Sequence, residues 1–202
     1  LSCLLSEHIR TLEAFEQAIP LNEDLLRTDL TNHELRLRHA RLLIQQHRMA
    51  DAKSHLEQLQ SSMPDEAEVW YLSAVVADAG RDPAGALKCL KRSLRCAKKN
   101  PETYAFLAKL SDESTPPELQ PEALMQQMIA QCPNGKAYQI RADYRIEKQL
   151  WLDAINDLWK SLEDTPDDMI LNAKLVRCIQ ALEASDSANA AQGRTVAETI
   201  KR

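Results

Sequence analysis

The sequence predicts an all-α chain of repeated helical hairpins, an α-solenoid, and three observations carry that prediction. Residues of one kind recur every 34 positions: Trp70, Tyr104 and Tyr138; Ala40, Ala74, Ala108 and Ala142; Ala52, Ala86 and Ala154; Leu56, Leu90, Leu124 and Leu158; Leu94, Met128 and Leu162. A fixed period of that length marks a supersecondary unit that cannot bury its apolar surface alone and therefore stacks on copies of itself. Within each period apolar residues fall at helical spacing, and no run reads as a strand. Of the 202 residues 44% are hydrophobic and only four are glycine, which allows a sizeable core but supplies few of the turn residues that an all-β fold consumes.

The elements follow in order. Leu1, Leu4, Leu5, Ile9, Leu12, Phe15 and Ile19 share one side of an amphipathic helix stopped by Pro20, a cap or truncated repeat. Residues 20–32 form a linker in which Leu25, Leu26 and Leu30 suggest a short helix covering the first hairpin. Four repeats then run 33–66, 67–100, 101–134 and 135–168. The second is the best formed. Val69, Trp70, Leu72, Val75 and Val76 make one apolar face, Gly80 offers a residue able to take positive φ, and Asp82–Pro83 reads as an N-cap followed by proline at the first helical position. Ala86, Leu87, Leu90, Ser93 and Leu94 continue the second helix, small residues among them permitting close approach. Pro64 and Pro166 close their repeats at equivalent positions, and Pro101 closes the second repeat three residues late. The third repeat is irregular, since SDESTPPELQP at 111–121 places three prolines at its turn and shortens both helices. Asp167 and Asp168 can cap a terminal helix over 169–184 with one polar face, and 185–202 is a tail or a further helix.

These residues resemble the tetratricopeptide repeat, whose 34-residue motif carries an aromatic near position 4, small residues at 8 and 20 and a proline near 32. Trp70, Ala74, Ala86, Leu90 and Leu94 match most fully. Ser73 stands where leucine is usual, Arg36 replaces the first aromatic, Gln120 replaces an alanine, and Gly80 falls one residue early. The resemblance implies a right-handed superhelix with no chemistry of its own, whose first helices line a groove for a protein or peptide. Carried over residue by residue, that face holds Glu34, Leu37 and Arg41; Glu68, Tyr71, Val75 and Asp78; Glu102, Ala105, Lys109 and Asp112; Lys136, Gln139, Asp143 and Ile146. Leu37, Arg41, Tyr71, Val75, Asp78, Lys109, Gln139 and Asp143 are the candidate partner-binding set, with Tyr71 the anchor because tyrosine offers apolar area with a polar tip. The lysine–asparagine–arginine clamp by which some members hold a chaperone's C-terminal carboxylate is absent, its positions being held by Leu37, Arg41, Leu72, Glu102 and Phe106.

Other chemistry finds little support. His8, His33, His39, His47 and His55 lack HExxH spacing, and Cys3, Cys89, Cys96, Cys132 and Cys178 lack CxxC or zinc-ligand spacing. Cys89 and Cys96 lie two turns apart, roughly 10 Å along one helix, too far for a disulfide. Reduced packing cysteines lean towards a reducing, cytoplasmic compartment. Phosphate-cradling and nucleophile-elbow motifs are missing, so neither an enzyme nor a cofactor or metal is expected. Lys88, Lys91, Arg92, Arg95, Lys98 and Lys99 make a basic stripe on an outer face, either solvated or facing an anionic partner. The net charge of −5 argues against nucleic acid as the main partner. No apolar run is long enough to span a membrane. The solenoid ends offer self-association as a further contact. A start at Leu1 instead of methionine suggests a piece of something longer, and the alternative reading is a regulatory or targeting segment of a larger enzyme or membrane protein.

Overall fold

The structure, a computed structural model, describes residues 18–111 and 115–200, with side chains of the last helix described as far as Ser185. The apolar positions expected from Leu1 to Phe15, with Cys3 and His8, and Asp112 in the third turn, lie outside the described residues. The described elements are helical: α1 (residues 18–28), α2 (His33–Gln45), α3 (Met49–Ser62), α4 (Ala67–Ala79), α5 (Pro83–Cys96), α6 (Pro101–Leu110), α7 (Pro121–Gln131), α8 (Gly135–Glu147), α9 (Trp151–Asp164) and α10 (Met169–Ile200), with a 3-10 turn at Pro117–Leu119. The even-numbered helices from α2 begin at 33, 67, 101, 135 and 169, one every 34 residues.

The chain divides into two compact units, Leu1–Lys98 and Lys99–Arg202. In the first, α2–α3 and α4–α5 pack as two hairpins, and α2, α3 and α4 share a core of Leu37, Ala40, Leu43, Ala52, Leu56, Leu59, Val69, Leu72 and Val76. Ile19 of α1 joins that core. Pro20 does not stop the helix as expected, because residues 18–28 are helical throughout. Ile19, Asn22 and Leu26 of that helix are buried. Arg36, in the place of the first aromatic, is buried as well. Its guanidinium donates to the Leu30 carbonyl at 2.6 Å and to Gln58 Oε1, so a charged side chain packs because its donors are met.

In the second unit α8, α9 and α10 enclose Ala142, Ala154, Ile155, Leu158, Leu162, Leu171, Leu175 and Cys178. Asp157 of α9 is 1% exposed and accepts from both Arg141 (2.8 and 2.6 Å) and Arg145 (2.6 Å) of α8. In the third hairpin the second helix is delayed: the 3-10 turn occupies 117, where the 34-residue spacing would begin a helix, and α7 starts at 121. Pro121 explains the delay: in a helix begun at 117 it would be the fifth residue, with no N–H for the Pro117 carbonyl, whereas as the first residue of α7 it needs none. Pro101 opens α6 as its first residue, capped by Asn100, so it begins a helix where the sequence suggested a closure. The outward side of α10 is not the polar face expected of a terminal cap, because Met169, Ile170, Val176 and Ile179 are exposed.

Helix ends follow their sequences closely. Asn32, Asp82, Asn100, Asn134 and Asp168 accept from backbone N–H groups of the first turns they precede. Three helix C-termini close identically: Arg48, Asp82 and Leu150 donate to the carbonyls of Leu43, Ala77 and Arg145, while His47, Arg81 and Gln149 donate to Ile44, Asp78 and Ile146. This is the Schellman arrangement, which needs a left-handed residue. Gly80 does not take that conformation, having φ −78°. His47, Arg81 and Gln149 take it instead, with φ 58°, 59° and 59°. Glycine stands one residue too early for the closure that the hydrogen bonds impose.

Arg81→Gly should therefore raise the unfolding free energy by about 0.5–1 kcal/mol, read as a higher urea midpoint with an unchanged m-value, as relief of left-handed strain exceeds the added freedom of the unfolded chain. Asp157→Ala should cost the second unit about 3–5 kcal/mol, read by chemical denaturation, because two arginines lose the buried charge that satisfies them.

Candidate interaction surface

In the first unit, the faces of α2 and α4 that the resemblance assigned to a groove carry a charged bridge. Arg41 of α2 and Glu68 of α4 meet through two parallel hydrogen bonds, from Nε to Oε1 and from Nη2 to Oε2, with both side chains partly exposed. The fork-to-fork match fixes both side chains at once, and the carboxylate holds the guanidinium more firmly protonated. Beside it a cleft of about 400 Å³ is lined by Asn32, Glu34, Leu35, Leu37, Arg38 and Arg41. Leu37 forms its apolar floor, being only 7% exposed and part of the core. Arg38 is exposed on the wall and has no ion pair among the described residues.

The other candidate positions are distributed unevenly. Tyr71 is half-buried and packs against the same core as Leu37, so it serves the fold as well as the surface. Val75 and Asp78 are half-buried on α4. In the second unit Lys109 is exposed with its ammonium 6.0 Å from the Phe106 ring centre, Gln139 is half-buried, and Asp143 accepts from Lys174 of α10 at 2.6 Å. Asp143 and Lys174 also line a smaller cleft of about 280 Å³ with Ile146, Trp151, Arg177 and Cys178. The structure thus joins Arg41 to Glu68 and Asp143 to Lys174. Spacing alone did not reveal these pairs, since each crosses between hairpins.

The basic stripe on α5 is interrupted. Lys88 and Arg95 are exposed, but Arg92 turns back to the Pro64 carbonyl (3.4 Å) and Asp65 (3.3 Å), with its guanidinium 5.8 Å from the Trp70 ring centre. Lys91 is half-buried, and Lys98 and Lys99 lie beyond the helix end. The Trp70 indole donates to the same Pro64 carbonyl at 2.8 Å. Asn172 does likewise for Pro166 at 3.0 Å, each donor lying six residues past its proline.

One titratable pair went unread in the sequence. His39 of α2 and His55 of α3 meet edge to face, ring centres 4.9 Å apart, and each leaves Nδ1 buried without a partner. Burial pulls both imidazoles below the ordinary histidine range. For His39, Glu23 and Asp51 oppose that pull and Arg48 adds to it; for His55, His39 and Arg36 add to it while Asp51 and Glu23 oppose. The 16-residue separation is the available signal, because Arg141 and Asp157 pair at the same spacing in the fourth hairpin. Among the described residues no group of three or more histidine, cysteine or acidic side chains is placed to hold a metal ion, and no helix is long and apolar enough to cross a membrane.

A family model described as tetratricopeptide repeat matches residues 11–76. No curated protein is significantly similar in sequence. Among solved structures, the chain is similar to TTC0263, a thermophilic TPR protein of Thermus thermophilus, at 19% identity and a TM-score of 0.65, over 88% of this chain and 95% of that one. It is also similar to the APC/C hetero-tetramer Cut9–Hcn1 (19% identity, TM-score 0.59, 85% of this chain, 34% of that one). A third is YrrB, a TPR protein with an unusual peptide-binding site (17% identity, TM-score 0.51, 83% of this chain, 87% of that one). The chain has the all-α fold of tetratricopeptide-repeat proteins.

The histidine pair gives a signed pH dependence. Folding favours the neutral form of both rings, whereas the unfolded side chains protonate near pH 6.5. The folded state then binds fewer protons, so stability present above that value is lost as pH falls through it towards the depressed folded values. The denaturation midpoint of the first unit should fall between about pH 7 and about pH 5. His39→Leu, which installs the residue that the third repeat has at Leu107, should flatten that slope.

Proposed function

We propose that this tetratricopeptide-repeat fold is an interaction scaffold, taking an extended segment of a protein or peptide partner against the faces of its first helices, with no chemistry of its own. The cleft on α2 is the observation that carries this reading. Its floor is apolar at Leu37 and its wall carries Arg38, a cation without an ion pair among the described residues. Arg41 differs from Arg38 in being held by Glu68. That arrangement suits an apolar side chain followed closely by a carboxylate. A pre-built cleft leaves most of the ordering cost to the partner. YrrB, with its peptide-binding site, supports the class of partner by fold analogy alone. Tyr71, Val75, Asp78, Lys109, Gln139 and Asp143 extend the proposed surface within their respective units.

A second reading is a targeting or regulatory segment of a larger enzyme or membrane protein; Cut9–Hcn1 is a case of this fold matching about a third of a longer chain. The complete reading frame separates the two, since a catalytic motif or membrane span in it would favour the second.

Peptides selected from a random display library on the intact chain should be enriched in an acidic residue next to a large apolar one. Arg38→Glu should weaken the selected peptide about tenfold or more in fluorescence anisotropy while leaving the circular dichroism and melting curve unchanged. Absence of enrichment, or unchanged affinity in Arg38→Glu, would reject the cleft.

A further inference from the structure

A second cavity lies in the first unit between α3, α4 and α5, and it shares no residue with the cleft on α2. Its volume is about 460 Å³. The repeat itself explains why space is left there. Ser73, Ala77, Gly85 and Cys89 line it. At the same four positions the first hairpin has His39, Leu43, Asp51 and His55, and the fourth has Arg141, Arg145, Asp153 and Asp157. There the two imidazoles meet at 4.9 Å, or the two guanidinium groups converge on one carboxylate. The third hairpin keeps a large residue, Leu107, at the first of these positions. The second hairpin alone has a small residue at all four, so the gap follows from its own side chains.

The lining specifies what could enter. Leu56, Val76, Ala77 and the half-buried Cys89 make an apolar wall. Ser73 and Gln60 supply a polar one, the Gln60 amide donating to the Ser73 hydroxyl at 2.8 Å and that hydroxyl donating on to the Val69 carbonyl at 2.7 Å. The charges at the rim are of both signs: exposed Lys53 and Glu57 lie 4.0 Å apart, and the Asp82 carboxylate accepts from the Gly85 N–H as the cap of α5. A charged ligand would find no unbalanced partner, and burying it would be costly. A cavity of this size falls within the roughly 300–1,000 Å³ range of small-molecule sites, near its lower end.

We propose that this cavity is a binding site for a small neutral amphiphile, one aromatic ring or a short branched aliphatic body with a single uncharged hydrogen-bonding end. The apolar body lies against Leu56, Val76 and Ala77, and the polar end meets the Ser73–Gln60 pair. Gly85 is constrained from two sides. It lines the cavity, and a Cβ there would run into the Asp82 carboxylate that caps the helix.

Cys89 provides a direct assay. The intact chain is equilibrated at mildly alkaline pH, in a thiol buffer, with the disulfide of 2-phenylethanethiol or with that of 2-mercaptoethanol. The Cys89 thiolate attacks the probe disulfide, forming a mixed disulfide and releasing one probe thiolate. Peptide mass spectrometry then reads occupancy at Cys89 and at Cys96, which is also half-buried on α5 but does not line the cavity. The phenylethyl probe should exceed the hydroxyethyl probe about tenfold at Cys89 and be nearly equal to it at Cys96. Free 2-phenylethanol should compete at Cys89 only. Ala77→Leu should abolish the preference with the melting curve retained. Should Ala77→Leu fail to fold, Ser73→Leu, which copies the third repeat, serves as the blocking variant. Equal occupancy by the two probes at Cys89, no labelling of Cys89, or a preference that survives the filled cavity would overturn the proposal.

Discussion

Three of the hairpins share one steric constraint, a small buried residue at the same position of the first helix and another at the same position of the second. Ala40 and Ala52, Ala74 and Ala86, and Ala142 and Ala154 hold the same two register positions of their hairpins, and all six are fully buried. A methyl at such a position lets two helix backbones approach closely enough for the leucines on either side to interdigitate. Leu56, Leu90, Leu124 and Leu158, one per hairpin, are at most 1% exposed as a result. The third hairpin has Gln120 at the second of these positions, and it is there that the second helix starts late. The side chain of Gln120 donates instead to the Thr115 carbonyl at 2.7 Å, within the loop that replaces the missing turn.

Two positions 16 residues apart, which meet in the first and fourth hairpins, vary from copy to copy and give each hairpin its character. Two neutral histidines occupy them in the first, a serine and a cysteine in the second, leucine and alanine in the third, and an arginine–aspartate ion pair in the fourth. Each solution is consistent with the same backbone because each meets its polar groups in a different way, or leaves them orphaned as with the two Nδ1 atoms. The ionic hairpin depends on a buried charge, the histidine hairpin on neutrality, and the serine–cysteine hairpin leaves a cavity. A repeat thus holds the fold constant while its internal chemistry changes from copy to copy.

The same division separates what could be read early from what could not. The helices, their 34-residue spacing and the caps at Asp82 and Asp168 were legible, because each is set by residues near in sequence. The left-handed turn residue was misassigned to Gly80, since the closure counts hydrogen bonds back from the helix end and falls on Arg81. Pro20 reads as a stop because proline lacks a helix donor, but residues 18–28 are helical and Ile19 packs with Leu37 and Leu43 of a different helix. Of the candidate surface, the face of α2 was legible through the resemblance. The burial of Leu37, the bond from Arg41 to Glu68 and the withdrawal of Arg92 onto Trp70 and Asp65 were not.

The sequence by itself determined that this chain is a run of helical hairpins, where each one begins, and which alanines and leucines are buried, because periodicity and capping act over a few residues and repeat. Only the tertiary structure decided which charges remain available, which histidines lose their solvent and where a cavity is left. Those outcomes depend on side chains brought together from helices 13 to 31 residues apart in sequence, as with Gln60 and Ser73 or Asp143 and Lys174. Spacing predicts which face a residue occupies, but the electrostatic and steric fate of that face is set by whatever the neighbouring hairpin presents to it.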